Sequence, residues 1–314
     1  NVTAVRMHCS DRKEDKIMVG KQERRYQRMI TVVLALISLI MVIPLVLLVV
    51  ASFTSNNEIV LHGYSFFPKE LSLEAYRYIW NERAQVFHAY GITILVTAIG
   101  TTIGVMMTLL YAYVLAHEKF PGKTFLAFYL FFTMLFNGGL VPTYIMYTRY
   151  LHMKNTIPAL IIPGLLMSAF NVILTRTYIQ SNVPAALSEA AKIDGATEFQ
   201  VFRKVVLPMC KPIIATVGLF AGLGYWNDWT NGLYYITDTN KFSIQQLLNN
   251  MIKNIEFLSK NANSNINLAS VGGGIPQETV RMAIAIVGLL PILIVFPFVQ
   301  KYFVKGISIG AVKG

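Results

Sequence analysis

The chain has 314 residues, of which 54% are hydrophobic and 14% are charged, and its mean hydropathy is +0.51. Soluble domains carry roughly 25% charged residues, so this composition excludes an ordinary soluble enzyme and predicts a polytopic membrane protein. The net charge of +11 would suit a nucleic-acid-binding protein, but the placement of the basic residues argues against a nucleic acid partner.

Six apolar segments follow one another along the chain, each long enough to cross roughly 30 Å of hydrocarbon at about 1.5 Å per residue. Their approximate ranges are 29–52, 88–116, 124–148, 157–180, 212–236 and 280–303. We therefore predict an all-α fold with six transmembrane helices. A cytoplasmic tail at 1–28 would precede a membrane domain at 29–314.

The basic residues predict the orientation of these helices. The N-terminal tail holds 8 lysines and arginines, the turns on the same side hold 6 and the C-terminus holds 3, which makes 17 against 8 in the opposite loops. Because loops rich in lysine and arginine stay in the cytoplasm, both termini are expected inside. Cys9 and Cys210 would then face a reducing compartment, so no disulfide is expected. The first apolar run is too long for a cleavable signal peptide and indicates a retained anchor.

The loop after the first segment contains Phe66-Phe67-Pro68 and then an amphipathic stretch from Leu73 to Trp80. Its apolar side chains recur at helical spacing, which predicts a short helix. We expect Leu73, Tyr76 and Trp80 to lie on one face of this helix.

Nucleotide and metal sites are not expected in this chain. Gly122-Lys123-Thr124 resembles the end of a phosphate-binding loop, but the position of the first glycine is occupied by His117. The five histidines are scattered over different loops without ligand spacing. We therefore predict no catalytic residues, no metal and no cofactor.

The polar stretch at 181–211, between the fourth and fifth segments, predicts two short helices joined by a turn. Pro184 fits a first helical turn, with Asn182 or Ser181 as its cap, and 185–193 favours a helix. Gly195 permits the left-handed backbone that ends such a helix. Thr197 begins a second helix that Leu207-Pro208 is expected to end. Phe199 and Phe202 would lie on its exposed face and form a docking surface.

Six polar or aromatic residues within the apolar segments are candidates for lining a substrate pathway: Asn137, Asn171, Tyr225, Trp226, Asn227 and Asp228. An ionisable group in hydrocarbon is costly unless it faces a polar cavity, so Asp228 is the strongest of them. Aromatic faces and amides are also what sugar binding uses. Two alternatives stay open: Asp228 caps a helix break or holds an outer gate, and Trp226 with Trp229 forms an interfacial belt.

The spacing within 181–211 resembles the EAA loop of ABC-importer permeases. That pattern is Glu-Ala-Ala, three residues, Gly, nine residues and Ile-x-Leu-Pro. Glu189-Ala190-Ala191, Gly195 and Leu207-Pro208 match it, and Val205 at the Ile position is the one departure. Phe66 to Tyr76 and the ending from Gln300 to Gly314 narrow the resemblance to the LplC/YtcP branch of the maltose-type carbohydrate permeases.

The resemblance implies a type I ABC importer permease fold and a transport subunit without its own ATP site. The helix around Glu189 to Gly195 would be the coupling helix that docks on a cytoplasmic ATPase. The implied partners are a second homologous permease subunit, two ATPase subunits, an extracellular sugar-binding lipoprotein and the lipid bilayer, and the implied cargo is oligosaccharide. The implied ATPase-coupling residues are Glu189, Ala190, Ala191, Asp194, Gly195, Phe199, Leu207 and Pro208.

Two other classes of membrane protein compete with this interpretation. A proton-coupled carrier would need conspicuous carboxylates inside the membrane, where Asp228 is nearly alone. A receptor or assembly factor would have no use for the spacing of the EAA loop. Co-purification with an ATPase would decide among the three.

Overall fold

The computed structural model describes residues 21–117, 120–262 and 276–310, so most of the predicted tail at 1–28 lies outside the described residues. The regular secondary structure of the described residues is helical, apart from an isolated bridge between Thr54 and Leu71. Its α-helices in chain order are α1 (Lys21–Ser52), α2 (Asn56–His62), α3 (Glu74–Asn81), α4 (Arg83–Ala116), α5 (Lys123–Leu135), α6 (Leu140–Ile145), α7 (Pro158–Ile161), α8 (Ala169–Asn182), α9 (Ala185–Ile193), α10 (Glu198–Val201), α11 (Leu207–Met209), α12 (Lys211–Asn227), α13 (Thr230–Tyr235), α14 (Ile244–Ala262) and α15 (Gln277–Gly310).

Three helical stretches within the described residues are long and apolar enough to cross a membrane: Arg25–Ser52, Arg83–Ala116 and Gln277–Pro297. Two bent pairs bring the number to as many as five. Lys123–Leu135 meets Leu140–Tyr150 at 113°, and Glu198–Met209 meets Lys211–Asn227 at 81°. The predicted all-helical, polytopic fold is therefore confirmed, although several of the predicted spans are interrupted.

The predicted segment 157–180 is divided rather than continuous. Helix α7 ends at Ile161, and α8 begins only at Ala169. Pro163 lacks an amide hydrogen and clashes with the preceding turn of a helix. Gly164 follows it with φ +71°, in the left-handed region that favours glycine. The result is a stretch of non-helical backbone at 162–168.

The predicted third and fifth segments also break. Asn137 lies in the bend between α5 and α6, not within a helix, and Asp228 lies in the break between α12 and α13. The first and last predicted segments, in contrast, are parts of the unbroken helices α1 and α15. Polar or glycine-containing sequences mark both breaks.

Among the described residues, buried apolar side chains form three cores. One core packs α3 and α14 against the start of α4 and α15, with Ala75, Ile79 and Ile255 among its buried members. A second surrounds Tyr225 and Tyr235. The third joins the end of α4 to α8 and to the 181–211 loop. Helix α1, in contrast, exposes its apolar stretch, so its surface faces lipid or another subunit.

The short helix predicted after the first segment is present as α3, and its buried residues are ones that the prediction did not name. Ala75 and Ile79 are buried, whereas Leu73 and Trp80 are exposed by 56% and 62%. Tyr76 is half-buried and its hydroxyl lies 2.8 Å from the Ser52 hydroxyl at the end of α1. The buried face of α3 therefore includes Ala75 and Ile79, and Leu73 and Trp80 remain on the open side.

Candidate functional site

The first helix of the 181–211 loop is α9, with the bounds expected from the sequence. Its predicted cap is wrong. Pro184 precedes the helix in an extended conformation instead of occupying its first turn. The side-chain amide of Asn182 donates to the backbone carbonyl of Tyr178 at 3.0 Å. Asn182 therefore closes the end of α8 and does not cap α9.

Helix α9 ends in a Schellman motif at Gly195. The amide of Ala196 donates to the Ala191 carbonyl at 2.9 Å, and that of Gly195 donates to Lys192 at 3.0 Å. Gly195 has φ +84°, which a residue with a side chain adopts only at a cost. The turn that the glycine predicted is therefore present, and it fixes the direction in which the chain leaves α9.

A capping box starts the second helix. The Thr197 hydroxyl accepts a hydrogen bond from the Gln200 amide at 3.3 Å, and the Gln200 side chain accepts from the Thr197 amide at 2.8 Å. The helix continues through a π-helical turn at Phe202–Val206 and through α11, and it ends at Met209, one residue after the predicted end at Leu207-Pro208.

The predicted exposure of Phe202 is wrong. This side chain is 6% exposed, and its ring centroid lies 5.2 Å from that of Tyr113 on α4. Together with Val201 and Val206 it belongs to the core that also contains residues of α4 and α8. The second helix of the loop is therefore anchored to the membrane domain.

Helix α9 and the turn after it, in contrast, are exposed on the surface of the described structure. All nine described residues of α9 are at least partly exposed. The exposed fractions of Leu187, Ile193 and Phe199 are 47%, 87% and 66%. Such apolar exposure on a rigid element is typical of a docking surface.

Some of the predicted coupling residues lie on this exposed surface, and others pack against the core beneath it. Glu189, Ala190, Asp194, Gly195, Phe199 and Pro208 are exposed. Ala191 and Leu207 pack against the core. The exposed members could contact a partner directly, whereas the other two hold the loop in place.

A polar cluster that the sequence did not predict lies beside this surface. The Glu198 carboxylate forms an ion pair with Lys192 and accepts a hydrogen bond from the Tyr113 hydroxyl at 3.0 Å. His117 Nε2 lies 3.9 Å from the same carboxylate and 3.1 Å from Lys192 Nζ. The only sign of this cluster in the sequence is that Lys192 and Glu198, which carry opposite charges, lie six positions apart on either side of the turn.

The ion pair is formed at neutral pH. The hydrogen bond from Lys192 lowers the pKa of Glu198 below its usual value of 4.5, partial burial opposes this, and the Tyr113 hydroxyl adds to the lowering. Because the pKa is lowered in the folded state, the contribution of the pair is present above pH 4.5. It is lost as the pH falls through the lowered pKa.

Asn171 lines a cavity of about 380 Å³ between α4, α8 and α12, hereafter the middle cavity. Ser168, Phe170 and Phe220 line it too, together with the non-helical backbone at 164–166 and Gly104 and Thr108 of α4. The cavity therefore combines a buried amide, a hydroxyl and aromatic rings.

Asn227 lines a second cavity, of about 430 Å³, between α12, α14 and α15. Trp229, Gln245, Asn249 and Arg281 contribute further polar or aromatic groups. Gln245, Asn249 and Arg281 were missed by the sequence reasoning because they come from distant helices. Arg281 also pairs with Glu256 at 3.2 Å and with Glu278 at 3.1 Å, so its charge is balanced.

Tyr225 and Trp226 have partners that give them structural roles. The buried Tyr225 hydroxyl donates to the Ile161 carbonyl at 2.9 Å, and the Trp226 indole donates to the Gly288 carbonyl at 3.2 Å. The side chain of Asn231, which the sequence reasoning missed, donates to the Pro163 carbonyl at 2.9 Å. Tyr225 and Asn231 thus satisfy carbonyl groups beside the break at 162–168, which would be costly to leave unpaired.

Asp228 and Asn137 stabilise helix breaks. One carboxylate oxygen of Asp228 accepts from the Thr230 amide at 3.1 Å, the Thr230 hydroxyl at 2.7 Å and the Asn231 amide at 3.3 Å. This geometry matches the alternative in which Asp228 caps a break. Asn137 accepts from the Gly139 amide at 2.8 Å. Within the described residues, no group of three or more histidine, cysteine or acidic side chains could hold a metal.

Comparisons with known proteins agree with this arrangement. Residues 119–309 match the family described as binding-protein-dependent transport system inner membrane component. The polygalacturonan/rhamnogalacturonan transport system permease protein YtcP of Bacillus subtilis is 35% identical over 293 residues, which is 93% of this chain and 100% of YtcP. Protein LplC of the same organism is 34% identical, over 88% of this chain and 90% of LplC.

A solved structure shares the fold. A chain of a bacterial ABC transporter involved in the import of the acidic polysaccharide alginate superposes with a TM-score of 0.72 and 27% identity. The match covers 91% of this chain and 99% of that one. The type I ABC importer permease fold expected from the sequence is thereby confirmed.

The family is described as an inner membrane component of transport systems and YtcP as a permease protein, which confirms the expectation of a transport subunit and not a catalytic one. Such a subunit works with an ATPase and a substrate-binding protein. The chain belongs to the family of binding-protein-dependent transport system inner membrane components, in the group that includes YtcP and LplC.

Proposed function

We propose that this chain is one of two homologous permease subunits of an ATP-driven importer of oligosaccharides. The other parts of the importer are two cytoplasmic ATPase subunits and an extracellular sugar-binding lipoprotein. Support for the cargo comes from relatives named for transport of polygalacturonan, rhamnogalacturonan, arabinooligosaccharides and alginate. Both termini of the chain lie in the cytoplasm in this proposal, as the distribution of basic residues favours.

The observation that carries the proposal is the construction of α9. The helix is held between Pro184 and the Schellman turn at Gly195, and it exposes Leu187 and Ile193. A rigid helix with exposed apolar residues can dock in a groove of an ATPase and transmit its movement. Since the helix after it is buried against α4 and α8, movement of α9 reaches the membrane domain.

The two cavities support a sugar pathway, but fewer of the predicted pathway residues line it than the sequence suggested. Asn171 would contact sugar hydroxyl groups in the middle cavity, and Asn227 with Trp229 would do so in the other. Amides can donate to and accept from hydroxyl groups, and aromatic rings can cover the apolar faces of a sugar. Tyr225, Trp226, Asp228 and Asn137 would shape this pathway through the backbone they hold.

Transport then follows from alternating access. ATP closes the ATPase dimer and moves the docked α9 helices, and the two permease subunits rock about their shared pathway. The cavity opens to one side of the membrane and then to the other. This chain supplies half of the pathway and one coupling helix.

The test is co-expression of this chain with the ATPase, second permease and binding protein. We expect the ATPase to co-purify with the membrane complex. We also expect proteoliposomes to import at least one member of a labelled panel of oligogalacturonides, maltooligosaccharides and xylooligosaccharides only when ATP is enclosed. Uptake that is driven by a proton gradient without ATP would contradict the proposal and favour a secondary carrier.

A matched variant tests the coupling helix itself. Ile193→Asp places a charge on the most exposed apolar side chain of α9, so ATPase recovery should fall while membrane abundance stays the same. Val60→Asp, on the outer helix α2, is the control because that residue is also well exposed, at 66%. Equal ATPase recovery in both variants would contradict docking through α9.

A further inference from the structure

The polar cluster around Glu198 connects three separate parts of the chain. Lys192 lies on α9, Glu198 begins α10 on the other side of the Gly195 turn, and Tyr113 and His117 lie at the end of α4. One carboxylate oxygen of Glu198 faces Lys192, and the other accepts from Tyr113 at 3.0 Å. The carboxylate therefore bridges α9 to α4.

This bridge adds a polar connection to the limited apolar packing of α9. All nine described residues of α9 are at least partly exposed, and Ala191 is its member that packs against the core. The only covalent link between α9 and α10 is the short turn at Gly195. The Lys192–Glu198 pair closes across that turn, so α9 cannot tilt relative to α10 without breaking it.

Helix α4 extends from this cluster to the middle cavity. Thr108 and Gly104, which line that cavity, lie five and nine positions before Tyr113 on the same helix. At about 1.5 Å per residue these distances are roughly 8 and 14 Å. A displacement of α9 can therefore pass through Glu198 and Tyr113 into a helix that forms the cavity wall.

We propose that Glu198 is a positioning residue that couples the movement of α9 to α4. This inference rests on the proposed function of α9 as the coupling helix. Glu198 itself need not contact the ATPase or the sugar. Its side chain is 60% exposed, and exposed ion pairs contribute little to stability. Removing its charge should therefore leave assembly intact and lower the amount of sugar imported per ATP hydrolysed.

The experiment uses the complete importer in proteoliposomes, with the panel oligosaccharide that the wild-type complex imports fastest. Glu198→Gln should lower the ratio of imported sugar to hydrolysed ATP by a factor between about 2 and about 30, the range seen when coupling networks are altered. Asp238→Asn is the control, because Asp238 forms an ion pair with Lys241 at 3.1 Å that involves neither α9 nor Tyr113.

ATPase recovery and membrane abundance separate this inference from the proposed function. If the wild-type complex fails to import sugar or to retain an ATPase, the proposed function is wrong. If the wild type works and Glu198→Gln leaves the ratio unchanged, the positioning role is wrong. Should Glu198→Gln not assemble, Tyr113→Phe tests the same bridge, because it removes one hydroxyl and keeps the ring beside Phe202. An unchanged ratio in Tyr113→Phe would overturn the role equally.

Discussion

The ring of Tyr225 occupies the space that a side chain at Gly100 would need. A Cβ atom built on Gly100 would lie 2.6 and 2.7 Å from two atoms of that ring. The Tyr225 hydroxyl donates to the Ile161 carbonyl at 2.9 Å, so the ring cannot withdraw freely. One tyrosine thus holds α12 against α4 and against the interrupted segment that follows α7.

A methyl group at Gly100 should therefore destabilise the bundle. We expect Gly100→Ala to cost about 1–3 kcal/mol, the usual range for overpacking a core, because the Tyr225 ring must move. Gly91→Ala on the same helix is the control, since its Cβ would meet open space among the described residues. Thermal unfolding in detergent measures the difference, and equal midpoints for the two variants would contradict the packing described here.

Substitutions at Gly195 should act through backbone strain and not through a steric clash. A Cβ there meets open space among the described residues, but φ is +84°. The left-handed region costs an ordinary residue roughly 1–2 kcal/mol, and asparagine and aspartate tolerate it better than β-branched residues. We expect Gly195→Val to reduce ATPase recovery and uptake most, Gly195→Asp less and Gly195→Asn least. Equal effects of all three, at matched membrane abundance, would exclude strain as the cause.

Two substitutions of Asp228 distinguish its alternative roles. Asparagine keeps an oxygen that can accept from the amides of Thr230 and Asn231, whereas alanine removes the cap at a cost of about 0.5–2 kcal/mol. If Asp228 caps the break, Asp228→Asn should unfold at nearly the wild-type temperature and retain uptake, while Asp228→Ala loses stability. Loss of uptake in a stable Asp228→Asn variant would instead show that the charge itself is required.

Cysteine labelling tests the predicted topology. In a chain with Cys9 and Cys210 replaced by alanine, single cysteines are introduced at Glu189 in α9 and at Thr239 in the loop after α13. Both positions are exposed. An impermeant maleimide added to intact cells should label the variant at Thr239 and leave that at Glu189 unlabelled until the cells are opened. Labelling of both in intact cells would contradict cytoplasmic termini.

The sequence determined features that depend on neighbouring residues and on overall polarity. Long apolar runs predict helices wherever they occur, because buried backbone groups must pair within the segment. The bounds of α9 and the turn at Gly195 were equally predictable, since helix formers followed by a glycine decide them locally. The spacing from Glu189 to Pro208 was sufficient to indicate the family.

Tertiary structure decided which side chains meet. Phe202 is buried because Tyr113 lies against it, and Glu198 forms its bridge to a residue 85 positions away. Tyr225 reaches a carbonyl 64 positions before it. Asn171 and Asn227 line cavities, whereas Asp228 in the same sequence stretch as Asn227 caps a helix. Local sequence cannot specify such contacts, because their geometry depends on how the helices pack and where proline and glycine interrupt them.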